Sequence, residues 1–179
     1  MSTFKMTLCA LAMATVSTSA LAATQGTVTF NGELITSTCE IAADSVDRQV
    51  QLPTVAIQTL AKSGDTAGSK GFDLNVENCP TGITQVAAHF EAVGSSGVDS
   101  ATGNLTNQFT ADANNPAAGN VQVRLYNSDE NQLKLGETGA PATVTNGSAT
   151  MRYYGGYYAT GATSVGKVYA QAAYTIAYP

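Results

Sequence analysis

The final fourteen residues read Gly166-Lys-Val-Tyr-Ala-Gln-Ala-Ala-Tyr-Thr-Ile-Ala-Tyr-Pro179. In an extended strand successive side chains point to opposite faces. Val168, Ala170, Ala172, Tyr174, Ile176 and Tyr178 therefore share one face. Lys167, Tyr169, Gln171, Ala173, Thr175 and Ala177 share the other. Any last strand packed on a core shows such alternation. The spacing says more: the penultimate residue is aromatic, and a glycine, Gly166, stands fourteenth from the end.

The same period of two recurs upstream, and helical periodicity almost nowhere. Candidate strands are Leu34 to Ala42, Gln49 to Ile57, Phe72 to Val76, Val86 to Val93, Val121 to Tyr126, Gln132 to Leu135, Thr150 to Tyr158 and Val168 to Tyr178. Turn clusters separate them, among them Lys62-Ser63-Gly64-Asp65, Asn114-Asn115-Pro116 and Thr145-Asn146-Gly147-Ser148. Eight or nine short strands at this spacing point to an all-β Greek-key sandwich or barrel. The sandwich is favoured, because pairing Cys39 with Cys79 would tie distant segments together. The lack of tryptophan argues against an antibody-type immunoglobulin domain. With 179 residues and no second composition regime, one domain is expected. Gly94 to Gly119, rich in Gly, Ser, Asn and Ala, reads as long surface loops.

The start of the chain carries a different signal. Lys5 is followed by the apolar Met6 to Ala14, and Ala20-Leu21-Ala22 supplies the small-x-small pattern of a cleavage site. Residues 1–22 are thus expected to be a signal peptide, too short and too rich in Ser and Thr for a membrane anchor. Cys9 would be lost with it, leaving Cys39 and Cys79, an even count in an oxidising compartment. A disulfide is the expectation and two free thiols the alternative. The bond would close a loop of about 41 residues, stabilising by about 4 kcal/mol in the chain-entropy account. Two cysteines and the one histidine, His89, fall short of a structural zinc site, and no metal or cofactor is expected. The formal charge of -5, without a cluster of Lys and Arg, argues against nucleic acid as a partner.

Thr27 to Ile35 holds Val28, Phe30, Gly32 and Leu34 on one face, with Phe-x-Gly-x-Leu ahead of Cys39. Tyr157-Tyr158-Ala159-Thr160-Gly161 is an aromatic segment shortly before the last strand. With Gly166, Tyr178 and the cysteine spacing, these features in this order resemble chaperone–usher fimbrial subunits of the type 1-like major pilin family, over the whole mature chain. The resemblance implies an incomplete immunoglobulin-like sandwich, residues 37–179, whose groove is filled by a neighbour's donor strand. Residues 23–36 would be the N-terminal donor-strand extension, with Val28, Phe30, Gly32 and Leu34 entering the next subunit. Gly166 and the face Val168, Ala170, Ala172, Tyr174, Ile176 and Tyr178 would line the groove and engage the chaperone. The partners implied are identical or related pilin subunits, a periplasmic chaperone, an outer-membrane usher and, through the fibre, a host receptor. The chain would pass through the periplasm to an extracellular fimbrium. Cleavage after Ala22 leaves about a dozen residues ahead of the first domain strand, short for a major subunit's extension.

Two other functional classes place different demands on the sequence. An enzyme needs a nucleophile with a base, or paired acids in a cleft. His89 sits among Ala87, Ala88 and Phe90 as in a strand, and Asp129-Glu130 reads as a solvated hairpin tip. The second is an exported sugar-binding adhesin with a complete β-sandwich, using Tyr153, Tyr154, Tyr157 and Tyr158 as a stacking platform. Those tyrosines are expected instead to divide between core and surface, with a bulge at Gly155-Gly156. Asn104-Leu105-Thr106 and Asn146-Gly147-Ser148 match glycosylation acceptors by pattern and read as loop residues.

Overall fold

The computed structural model describes residues 27–32, 34, 37–94 and 97–179. The expected signal peptide and residues 23–26 lie outside them, as do Glu33, Ile35 and Thr36. Two units are distinguished, residues 1–34 and residues 35–179.

The larger unit is all-β apart from one short 3-10 turn, Ile57–Leu60. Nine strands occur among the described residues: β1 Glu40–Ile41, β2 Thr66–Glu77, β3 Gln85–Ala92, β4 Leu105–Thr106, β5 Val121–Tyr126, β6 Gln132–Leu133, β7 Ala142–Thr143, β8 Ala149–Ala159 and β9 Ala172–Ala177. The first sheet runs β1-β2-β8-β5-β4, with β6 also on β5. The second runs β7-β3-β9. All named pairs are antiparallel, from Glu40↔Glu77 at one edge of the first sheet to Leu105↔Val123 at the other. In the second sheet Ala87↔Ala177 to Ala92↔Ala172 sets the register of the last strand.

Alternation in the sequence becomes sidedness here. Phe72, Leu74 and Val76 of β2, Met151 and Tyr153 of β8 and Phe90 of β3 all contribute to the core. Tyr153 is fully buried, edge-on to Phe90 with ring centroids 5.1 Å apart. Its hydroxyl accepts the Ala88 N–H (3.0 Å) and donates to the Ala140 carbonyl (3.1 Å). One phenol thus joins the two sheets both by packing and by satisfying buried main-chain groups. Cys39 and Cys79 are joined as a disulfide that pins the chain ahead of β1 to the end of β2.

An immunoglobulin-type sandwich sets strands A-B-E-D against C-F-G. By order and pairing, β1, β2, β8 and β5 correspond to A, B, E and D, while β3 and β9 correspond to C and F. The second sheet ends on β9, where the full arrangement carries one more strand. The expected incomplete sandwich is therefore what the topology delivers.

Several elements differ in extent from the sequence reading. Of the strand expected over Leu34 to Ala42, Ile35 and Thr36 lie outside the described residues, and among the others only Glu40–Ile41 pair, with Glu77 and Val76. Gln49 to Ile57 joins no ladder among the described residues. It has an apolar pattern but no neighbour to pair with. The bulge expected at Gly155-Gly156 lies on the facing strand. Register shifts between Ala67 and Lys70 of β2, where Gly68 has φ 66°. β4 and β7 are too short to carry a period, so no sequence pattern marks them.

Tyr153→Phe removes the acceptor of a buried amide and should lower stability by about 1–3 kcal/mol in urea unfolding. On the outer face Arg152 donates twice to the Asp73 carboxylate (2.6 Å each), holding its pKa below the usual range. A depressed folded pKa stabilises above the unfolded carboxylate value, roughly 3.9, and the benefit is lost as pH falls through the folded one. Asp73→Asn should therefore flatten the acid limb of the stability profile below about pH 4, read from unfolding midpoints across pH.

Candidate functional site: an open groove beside the last strand

A groove of about 620 Å³ runs along the larger unit. One lip is formed by residues 46–52 and the other by residues 168–174. Phe72, Leu74, Phe90, Leu105, Val123 and Leu125 lie beneath, so the floor is the sandwich core itself. No cluster able to hold a metal ion occurs among the described residues.

Both lips carry unused main-chain groups. Among the described residues, 46–55 make no backbone–backbone hydrogen bond. Among the described strands β9 pairs with β3 alone. Just ahead of it, Lys167 and Tyr169 bond toward the segment 107–118: Lys167 N–H donates to Pro116 O (2.8 Å) and Gln108 N–H to Tyr169 O (2.7 Å). In an extended chain alternate residues present their N–H and C=O to opposite edges. Val168 and Ala170 thus turn theirs the other way, and these have no partner among the described residues. Two exposed edges above an apolar floor form a slot for one more strand.

Gly166 anchors the start of this lip. Its φ is +157°, and a Cβ there would strike the backbone of Ala117 and Ala118, which a parallel bridge holds alongside Lys167. That close approach explains the glycine fourteenth from the end. Asn107 completes the anchor. Its amide donates to Ala118 O (2.9 Å) and Lys167 O (3.0 Å) and accepts from Phe109 N–H (3.1 Å) and Tyr169 N–H (3.0 Å). All four hydrogen-bonding positions of the side chain are used.

The predicted face of the last strand points as read. Val168, Ala170, Ala172, Tyr174, Ile176 and Tyr178 are half-buried and pack on the core. The tyrosines also fasten the chain around β1. Tyr178 Oη accepts the Cys39 N–H (2.9 Å), and Tyr174 donates to Ser45 O (2.7 Å). Burial pushes the Tyr174 phenol above its ordinary pKa, with Asp44 adding to the effect, so it stays a donor at neutral pH. The penultimate aromatic residue is thus a tether at the disulfide.

Val28, Phe30 and Leu34 are 79%, 90% and 99% exposed, and a Cβ on Gly32 would meet nothing within 4 Å. The four residues lie in the smaller unit as an apolar row with no covering. Other candidates disperse. Tyr153 and Tyr157 turn inward, while Tyr154 and Tyr158 turn outward, with Arg124 lying 3.8 Å over the Tyr158 ring. The tyrosines form no single platform. His89 bonds Thr138 (2.9 Å) from β3, and Asp129 accepts from Asn131 in the β5–β6 turn. Asn104 is buried with its amide bonded to Gln122, Arg124 and Gln132, which closes it as a glycosylation acceptor in the folded chain. Sequence reading missed residues 46–52 as a lip and Asn107 as an anchor. A lone asparagine in a polar loop carries no periodic signal.

Comparison with known proteins follows the same line. The family model described as fimbrial protein matches residues 28–179. The chain is 38% identical to the F17 fimbrial protein of Escherichia coli over 176 residues, 93% of this chain and 94% of that one. It is 40% identical to the major fimbrial subunit SMF-1 of Stenotrophomonas maltophilia over 166 residues, 87% of this chain and 94% of that one. Among solved structures it resembles a chain of a chaperone–usher pilus, with a TM-score of 0.61 at 18% identity, covering 90% of this chain and all of that one. The P pilus rod subunit PapA gives 0.56 at 14% identity, covering 80% and 100%. At such identities the structures speak for the fold, and the relatives for the family.

Asn107→Ala should free the lip without unfolding the core. Amide exchange at Tyr169 should accelerate about tenfold, as expected for 1–2 kcal/mol of lost hydrogen bonding, while amides of β3 keep their protection.

Proposed function

The chain belongs to the fimbrial protein family and is a structural pilin subunit, and we propose that it polymerises by donor-strand exchange. Residues 1–22 direct export, residues 23–36 form the donor extension and residues 37–179 form the receiving domain. Val28, Phe30, Gly32 and Leu34 of one copy enter the groove of the next. Gly166 and the face from Val168 to Tyr178 receive them, after receiving a strand of the periplasmic chaperone. An outer-membrane usher releases the growing fibre, so the chain moves from periplasm to surface and meets any host receptor as part of it. The role is structural and not catalytic.

The observation that carries this reading is the slot itself. Two lips whose facing main chain joins no ladder among the described residues stand over the core, at the place where an immunoglobulin-type sandwich has its closing strand. Filling such an edge with an added strand is β-augmentation, and chaperone–pilin complexes are an established instance. The donor segment 28–34 and the lip 168–174 are both seven residues long, about 20 Å as strands. Burying Val28, Phe30 and Leu34 would contribute about 5–9 kcal/mol before the entropic cost of ordering. Gly32 lets the facing chain come close.

Phe30→Asp should remove donation and spare acceptance. Fibre yield should fall to background, with chaperone binding retained; normal yield would sink the donor assignment. The same variant isolates the acceptor in vitro. Adding a peptide of residues 24–36 to the Phe30→Asp chain should raise its thermal midpoint by at least about 5 °C, given roughly 2–4 °C per kcal/mol for a domain near 150 residues and about 2.7 kcal/mol from peptide at a hundredfold its Kd. An unchanged midpoint without peptide binding would mean a sandwich already whole, as in the adhesin alternative.

A further inference from the structure

Two asparagines in this chain precede a glycine, Asn31 and Asn146. That pairing carries a latent reaction. An asparagine side chain folds readily onto the main chain just after it. A glycine in that place neither shields its nitrogen with a Cβ nor restricts the rotation that brings it to the amide carbon. Asn146 is held away from such a contact. With Gly147 it forms the two-residue turn into β8, at φ 50° and 75°. Thr145 N–H donates to Ser148 O (2.8 Å) and Ser148 N–H to Thr145 O (3.1 Å). Gly147 O also accepts the Cys79 N–H (2.9 Å) beside the disulfide. Asn31-Gly32 has no such restraint. Both residues are exposed and outside any helix or strand, and their main chain makes no backbone hydrogen bond among the described residues. A Cβ on Gly32 would meet nothing within 4 Å. An amide is not demanded at position 31 either, since Thr27 and Thr29 fill the same polar face.

We infer that Asn31 is a self-modification site, at which the unassembled chain converts its own asparagine to aspartyl and isoaspartyl residues. The Gly32 nitrogen loses its proton to solvent base and attacks Asn31 Cγ. The new C–N bond closes a cyclic imide as Nδ2 takes up a proton and leaves as ammonia. Water then opens the ring at one of its two carbonyls. Opening at Cγ leaves an ordinary aspartate. Opening at the Asn31 main-chain carbonyl leaves an isoaspartate, whose main chain runs through Cβ and Cγ. The consequence for the fibre rests on the donor-strand reading above. An isoaspartate lengthens the main chain between Phe30 and Gly32, so Val28 and Phe30 lose their phase with Leu34. Ladder bonds in a groove would hold Asn31-Gly32 as the turn holds Asn146. Only unassembled copies would then age, and an aged copy would still accept a strand without donating one.

The test begins with the full exported chain, kept dilute at mildly alkaline pH and sampled over days by peptide mapping and mass spectrometry. Isoaspartate is identified by methyltransferase labelling. Asn31 should convert to both products, faster as pH rises, and at least about tenfold faster than Asn146, whose turn hydrogen bonds must open first. Gly32→Ala, whose added Cβ meets open space, should fold and slow conversion of Asn31 about tenfold or more. Equal rates at the two asparagines, aspartate without isoaspartate, or an unchanged rate in Gly32→Ala would overturn the site. The effect on donation is read separately. Peptides of residues 24–36, one unaltered and one with an isoaspartyl linkage at position 31, are titrated against the Phe30→Asp chain. The modified peptide should bind about tenfold or more weakly. Equal binding of the two would overturn the effect on donation and leave the site standing. Binding of neither would remove the donor-strand reading, while conversion at Asn31, measured without it, would still uphold the site.

Discussion

The free edge of β9 is the constraint on which the rest of this molecule depends. Unpaired main-chain groups on a sheet edge, above an apolar floor, are costly to leave open to water and ready to pair with any passing strand. With the second sheet stopping at β9, residues 46–55 have no pairing neighbour among the described residues either, and both lips stay open. The groove is therefore the consequence of a strand position that none of the described strands occupies. Seen this way, the half-buried alternation of the last strand is a surface shared by the existing core and by whatever completes it.

A slot of this kind must keep its shape before it is filled, and several contacts act to that end. Gly166 and Asn107 hold the start of one lip against the segment 107–118. At the other end the Tyr178 hydroxyl meets the Cys39 N–H beside the disulfide, and Tyr174 reaches Ser45. Each uses a side chain or a covalent bond where a complete sandwich would use a sheet ladder. Meanwhile Tyr153 holds the two sheets together from within the core. The division of labour explains how an open fold can present a preformed groove, which lowers the ordering cost of binding.

The donor segment shows the complementary economy. Val28, Phe30 and Leu34 lie uncovered, which is unfavourable for an isolated chain and favourable for association. On the donor-strand proposal, the same apolar row that costs solubility alone would contribute the affinity between subunits. Polymer growth and subunit stability would then be one free-energy change, because the strand linking two copies would also complete a core.

Much of this was legible in the amino-acid order alone. Period-two alternation, the cysteine pair, the exposed Phe-x-Gly-x-Leu segment and the Gly166-to-Tyr178 spacing are local patterns, and local patterns survive in one dimension. They determined the all-β class, the disulfide, the face of the last strand and the family resemblance. What they could not decide is where strands lack neighbours. Gln49 to Ile57 has a strand's pattern and no ladder among the described residues, and Val168 to Gln171 likewise, because pairing depends on what lies alongside in space. The bulge at Ala67–Lys70 and the four bonds of Asn107 belong to the same group. Each arises where segments far apart in sequence meet, so only the tertiary structure could decide them.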